Sequence, residues 1–348
     1  MKKGEIDMGR IIKNLLLLLC VQSAMLALVG CHHKDLCVHH LHTVKVKVEY
    51  NWQNAPQANP TGMTLYFYPI EGGAFQRFDF IGKEGGYINL VKGKYNVITY
   101  NNDTEAILYN NITQFEEHCA YTRAGSILEP VYASAAAPPK ADSDEERVVI
   151  TPDMLWGCTA TEVLVTDSGI EYICIPVKEK DDHKYIENKE HIITLYPVEQ
   201  MCLYSYEIRN IEDIHGAVQM SASLGGMSGG LTFATEELNR ECVTLPFEGK
   251  IIPDSCKVTG EFFTFGHHPQ NTKEHRMLLY VWMKDGKAYC IGKDDKKFDV
   301  TEQVHNAPNP RRVHIIIDSL KLPYSEPVGG SFVPEIDDWE VEYNDILM

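Results

Sequence analysis

The sequence predicts an all-β protein with two antiparallel β-sandwich domains in tandem. Three observations predict this class. Apolar residues recur at every second position in short runs, turn-forming residues separate those runs, and sustained 3.6-residue periodicity is missing. A length of 348 residues also suits two domains of ~150 residues each.

The first run, VKVKVEYNW, alternates Val44, Val46, Val48, Tyr50 and Trp52 with Lys45, Lys47, Glu49 and Asn51. That period puts one face in a core and the other in water. The turn Asn59-Pro60-Thr61-Gly62 leads into MTLYFYP, a second alternating run of strand formers. FQRFDFIG ends at Gly82, and GGYINLVKGKYNVITYNND reads as two strands around Lys92-Gly93. The stretch 126–147 differs: small residues, three prolines and a charge run read as a long exposed loop within the first domain. Strand patterns resume at VVITPDMLWG and EYICIPV. The polar stretch from Lys178 to Glu190 is the expected boundary between a first sandwich over 43–189 and a second over 190–323. HIITLYPVEQMCLYSYEIRNI, VTLPFEG, VTGEFFTFG, RMLLYVWMKDGKAYCI and RRVHIIIDSLKLP supply the second, with Asp285-Gly286 as a hairpin turn.

The N-terminus reads as a secretory leader over 1–30. Arg10 and Lys13 precede an apolar run from Leu15 to Gly30 that is shorter than the ~20 residues of a membrane-spanning helix. Glu5 and Asp7 are unusual in such a segment, which makes Met8 an alternative start. Leu28-Val29-Gly30-Cys31 resembles the bacterial lipobox, and that resemblance implies cleavage before Cys31 and acylation of its sulfur and new amino group. Residues 31–42 are then a lipid-anchored tether, stable once more than one acyl chain is attached. Cys37, His39, His40 and His42 carry metal-ligand chemistry, but their spacing matches no structural zinc pattern, so no metal is expected there.

The net charge of −17 excludes a nucleic-acid partner, which needs a basic footprint. The leader takes away more basic residues (Lys2, Lys3, Arg10, Lys13) than acidic ones (Glu5, Asp7), so the remainder is more acidic still. The scattered cysteines leave both disulfides and buried free thiols open.

Taken in order, HHKDL after the lipobox, PTGMTLYFYP, LVKGKYNVITYNND, ERVVITPDMLWG, RRVHIIIDSLKLP and the tail GSFVPEIDDWEVEYNDILM resemble the fimbrillin-like lipoproteins of Bacteroidales, in particular a family related to fimbrial anchor subunits. The resemblance implies transthyretin-like sandwiches, a palmitate-type outer-membrane anchor at the cell surface, fimbrillin-like protein partners, and a role in anchoring or assembling a fimbrium for cell adhesion.

The tail supports assembly on its own terms. Pro323, Pro327 and Pro334 with Gly329-Gly330 keep 324–348 extended. Trp339, Val341 and Tyr343 then alternate with Glu340 and Glu342 in one more strand pattern. Such a strand either completes its own sheet or adds to the open edge of a neighbour.

Enzymatic signatures are missing. SLGGMSGG (Ser223 to Gly230) lacks P-loop and dinucleotide-binding spacing and reads as a flexible strand connection. His267 and His268 in FGHHPQ come after a strand and would not both face one ion unless they lie in the turn, which argues against a metal there with His275. Asp294 to Lys297 and Asp337 to Trp339 lack EF-hand spacing. No cofactor is expected. The alternative to fimbrial assembly is glycan binding, with Trp52, Trp156, Trp282 and Trp339 as stacking platforms; two or more tryptophans exposed on one flat face would favour it.

Overall fold

The first alternating run forms strand β1 (Thr43–Tyr50), which buries Val46, Val48 and Tyr50 and turns Lys45 and Lys47 to its other face. The computed structural model describes residues 43–127, 146–166, 170–173, 186–187, 191–293 and 295–324. The expected leader, the tether, most of the 126–147 loop and the tail beyond Tyr324 lie outside these residues.

Strands β2 (Gly62–Pro69), β3 (Gln76–Ile81), β4 (Gly85–Val91) and β5 (Gly93–Asn101) follow. The two strands around Lys92-Gly93 do not pair with each other. β4 pairs with β1, whereas β5 pairs with β2, so the chain changes sheets at that point. Next come β6 (Ile107–Asn110), β7 (Cys119–Thr122), β8 (Arg147–Val148), β9 (Trp156–Val165), β10 (Ile170–Ile173), β11 (Ile186–Glu187), β12 (His191–Leu195) and β13 (Val198–Glu199). Of these, β9 to β13 complete two sheets, ordered β11-β10-β12-β1-β4 and β13-β9-β5-β2-β3. Val48, Leu65, Phe67, Val97, Val163 and Ile193 from both sheets form one core. Each such side chain contributes ~1.5–3 kcal/mol through removal of its apolar surface from water.

MTLYFYP differs from its expected half-wet pattern, because every residue from Gly62 to Tyr68 is buried. Met63, Leu65 and Phe67 enter the first core. Tyr66 and Tyr68, on the opposite face, enter another core with Ile98, Tyr100, Leu231 and Phe233. Its apolar-aromatic composition, with no charge, suits a strand covered on both sides.

The rest of the described chain runs through β14 (Cys202–Glu212), β15 (Ala217–Ser228), β16 (Gly230–Thr232), β17 (Glu237–Leu238), β18 (Cys242–Ile252), β19 (Lys257–Thr264), β20 (Met277–Met283), β21 (Ala288–Ile291), helix α1 (Thr301–His305) and β22 (Arg312–Lys321). Seven of these strands are ordered β21-β20-β15-β18-β19-β14-β22. β18 belongs to both halves: residues 242–249 pair with β15, and 250–252 pair with β19. A strand that switches partners in this way turns the corner of a sandwich. Tyr206, Leu224, Phe247, Phe262, Leu279 and Ile315 fill the interior. The hairpin at Asp285-Gly286 is present, with Gly286 at φ +86°.

Most strand pairs are antiparallel, but β1–β12, β10–β12, β14–β22 and β8–β18 are parallel. Alternation cannot reveal this, because it reports which face is buried and not which strand lies alongside. Pairing also crosses the expected 189/190 boundary. β12 and β13 return to β1 and β9, β7 pairs with β16, and β8 pairs with β18.

SLGGMSGG is not a loose connection, which corrects the sequence reading: it lies within β15 and the start of β16. A register shift between Leu224 and Met227 places Gly225 and Gly226 in a bulge. Gly226 has φ +76°, and a Cβ there would sit 2.7 Å from His275 Nδ1. Gly226→Ala should therefore lose about 2–3 kcal/mol of unfolding free energy in urea, through left-handed strain and the clash. A change below ~0.5 kcal/mol, the usual size at an indifferent surface position, would rule this out.

Candidate functional site

The residues singled out for anchoring and docking, Cys31, Trp339, Val341 and Tyr343, lie outside the described residues, as do Cys37, His39, His40, His42 and Asp337. The platform from which the tail departs is described. β22 is the last strand of its sheet and pairs in parallel with β14. Leu322 N–H still donates to the Glu212 carbonyl at 3.1 Å and Leu322 is buried, whereas Tyr324 is 73% exposed. The backbone pairing of β22 thus ends at Leu322, and Tyr324 is the last described residue.

The outer edge of β22 is not open at its centre. Gln303 on α1 donates from Nε2 to the Ile316 carbonyl at 2.9 Å and accepts from Ile316 N–H at 2.8 Å. A side-chain amide here satisfies the backbone groups that another strand would otherwise seek, a recognised way to protect an edge. At the first sandwich β3 and β4 are edge strands, and β3 ends at Ile81, which is 97% exposed.

An open cleft of about 420 Å³ lies where β18 changes partners, lined among others by Ile150, Pro152, Pro246, Phe247 and Phe262. Glu248 and Glu261, both exposed, also line it. Its walls are mixed polar and apolar, and two carboxylates alone supply neither a nucleophile–base pair nor an oxyanion donor set. Trp282 is buried, while Trp52 and Trp156 are half-buried, and Trp52 Nε1 donates to the Lys83 carbonyl at 2.9 Å. Among the described residues no tryptophan is exposed, and Trp339 lies outside them.

Sequence reasoning missed the most enclosed polar centre. His118, the residue before β7, is fully buried and meets Tyr66, Tyr100 and Phe233 edge-to-face, with centroids 4.9, 5.5 and 5.2 Å away. Tyr68 Oη donates to the Ile112 carbonyl at 2.9 Å, so its oxygen accepts from His118 Nδ1–H at 2.7 Å. That leaves Nε2 as the acceptor for Tyr100 O–H at 3.2 Å. Burial holds the His118 pKa down at about 4, and burial also raises those of Tyr68 and Tyr100. All three groups are neutral at pH 7, which gives the centre the character of a structural knot. Its only sequence signal was a histidine at the start of a strand-like segment.

His267 and His268 follow β19 and lie outside any strand, so strand alternation does not govern where their rings face. His268 Nδ1 accepts from Gln270 N–H at 3.1 Å, whereas His267 packs with His275 and His305. His305 was not singled out by spacing, since it lies on α1, beyond a hairpin. Cys119, Cys158, Cys202, Cys242, Cys256 and Cys290 form no disulfide, while Cys37 and Cys174 lie outside the described residues. Asp295 caps a short turn by accepting from Lys297 N–H at 3.0 Å. No helix among the described residues is long and apolar enough to cross a membrane.

Known proteins share this architecture. The chain is 28% identical over 104 residues to a candidate fimbrium anchoring subunit, Fim4B, of Bacteroides ovatus. The aligned stretch is 30% of this chain and 31% of that protein, so the chain spans under a third of this curated relative. A crystal structure of a candidate adhesin from Bacteroides ovatus matches with a TM-score of 0.55 at 19% identity, over 86% of this chain and 99% of that one. That likeness is one of fold. The fimbrial anchor protein Mfa2 from Porphyromonas gingivalis has a TM-score of 0.44 at 12% identity, over 79% of this chain and 91% of its own. The resemblance to fimbrillin-like proteins of Bacteroidales drawn from the sequence agrees with these relatives. Residues 30–248 match the family described as "Domain of unknown function (DUF5119)", and with more than half its length matched the chain belongs to that family.

Proposed function

We propose that this protein is a non-enzymatic outer-membrane lipoprotein that anchors, or serves as an accessory subunit of, a fimbria-like surface assembly. The observation that carries the reading is the match to a fimbrium anchoring subunit, on a chain whose sandwich fold matches a candidate adhesin over nearly its whole length. Cys31 is the lipid attachment point, and fimbrillin-like subunits are the partners. Trp339, Val341 and Tyr343 form the docking strand: main-chain hydrogen bonds give affinity, and alternate side chains occupy pockets. The Gln303 contact with Ile316 supports a tail directed away from its own β22 edge. Two sandwiches divided near 189/190, with β12 and β13 paired back across that point, carry lipid and strand at opposite ends of the chain.

The test is recovery of partners from the native host with the full chain and with a chain lacking residues 331–348. Fimbrillin-like subunits should accompany the full chain and vanish with the truncated, still folded one. Equal recovery would remove the tail from the reading, and no such subunits in either sample would end the fimbrial reading. In parallel, Cys31→Ser should shift the protein from the membrane to the soluble fraction.

A further inference from the structure

Three histidines far apart in sequence meet at one end of the second sandwich. His267 follows β19, His275 precedes β20, and His305 ends α1. His275 Nε2 and His305 Nε2 are 3.0 Å apart. The ring centroids of His267 and His305 and of His275 and His305 are each 4.9 Å apart, and those of His267 and His275 are 5.6 Å apart. The planes of His267 and His305 lie within 16° of each other, while His275 stands at 84° and 80° to them.

We propose that His267, His275 and His305 form a binding site for a divalent first-row transition cation of the kind imidazole prefers, zinc, nickel or copper. The spacing suits one ion. Imidazole nitrogens ligate at ~2.1 Å, so two of them at right angles are ~3.0 Å apart, with ring centres ~4.6 Å apart, or ~5.3 Å at the tetrahedral angle. The observed nitrogen separation agrees with the first value, and two of the three centroid separations fall inside the range while that of His267 and His275 lies just above it. The rings of His267 and His305 are stacked and His275 stands across both, so His275 and His305 face one point directly and His267 reaches it by turning its ring.

The ring of His275 is already held as metal ligands usually are. Its Nδ1–H donates to the Gly225 carbonyl at 3.0 Å, which leaves the Nε2 lone pair aimed at His305. The Gly225-Gly226 bulge delivers that carbonyl, and a side chain at Gly226 would strike the ring. Asp299 and Glu146 lie close enough to His275 for their charges to favour a cation. Burial, and then His275 and His305, keep the His267 pKa at about 4, so this ring is neutral at pH 7. Among the described residues no three side chains already converge as a finished site. The hydrogen bond between His275 and His305 takes the ion's place. Binding needs the exposed His305 to move its proton from Nε2 to Nδ1 through water, and His267 to turn its ring inward; a change of tautomer releases no net proton. Hard cations such as calcium would be refused, because the three ligands are nitrogen.

The test is calorimetric titration of tag-free full chain with Zn²⁺, in a background where Cys37, His39, His40 and His42 are replaced so that the N-terminal cluster does not compete. One ion should bind with a dissociation constant of about 1–10 μM. His305→Gln, at an exposed position, and His267→Ala should each weaken it at least about tenfold with far-UV circular dichroism unchanged. Cu²⁺ bound to the parent should show electron spin-echo modulation from three imidazoles. Unchanged affinity in both variants would overturn the proposal, as would a parent that binds no Zn²⁺ below about 100 μM.

Discussion

Replacing His118 with alanine should lower the unfolding free energy by about 4 kcal/mol, more than Gly226→Ala loses at the bulge. Two costs combine. Removing a fully buried ring leaves a cavity worth roughly 2–5 kcal/mol, according to how far the surroundings collapse. Collapse is limited, because Tyr66, Tyr100 and Phe233 meet the ring edge-to-face, and Tyr100 is itself stacked on Tyr109 at 4.1 Å and on Phe233 at 4.9 Å. The second cost is polar. Tyr100 O–H loses its acceptor while buried, a penalty of about 1–3 kcal/mol. Tyr68 is less affected, since it keeps the Ile112 carbonyl. His118→Phe separates the two costs: it fills the space without an acceptor and should lose about 2 kcal/mol. Urea unfolding with an unchanged slope measures both. A loss below ~1 kcal/mol in the alanine variant would mean that the aromatic core closes over the gap and that the ring is not what holds it open.

The same centre marks where sequence reading stops. Val46, Val48 and Tyr50 were legible as a buried face because alternation is a local property of the chain. The turn at Asp285-Gly286 was legible for the same reason. Which strand lies beside which is decided by contacts between distant residues, so β12 returning to β1 and β22 running parallel to β14 left no periodic trace. The glycines of SLGGMSGG were misread because a bulge and a loop demand the same residue. The difference lies in His275, whose ring occupies the space a side chain at Gly226 would need. His118 and the three clustered histidines were illegible in kind. Their partners, Tyr68 and Tyr100 in one case and His305 in the other, stand on separate strands or helices, and only the fold brings them within hydrogen-bond distance.

Acid should destabilise the protein before its carboxylates are touched. A histidine whose folded pKa lies below its unfolded value of ~6.5 favours folding fully only above 6.5, because the unfolded chain takes up a proton that the folded one refuses. For His118, with a folded pKa of about 4, the loss begins as the pH falls through 6.5 and is complete near 4. It should reach about 2.5 kcal/mol at pH 4.5. His275 is shifted in the same direction by burial and adds to the effect. Asp79 and Asp103 are held below the ordinary carboxylate range by hydrogen bonds, against the opposing effect of burial, so their contribution is lost only at lower pH. The window from pH 6.5 to 4.5 therefore isolates the histidines. Urea unfolding across it should show a steady fall for the parent chain and a shallower one for His118→Gln, which has nothing to titrate. Because the glutamine variant starts lower at pH 7.5, the two curves should converge toward pH 4.5. Parallel curves would place the acid sensitivity elsewhere and would mean that the Tyr68–His118–Tyr100 centre does not depress the histidine pKa.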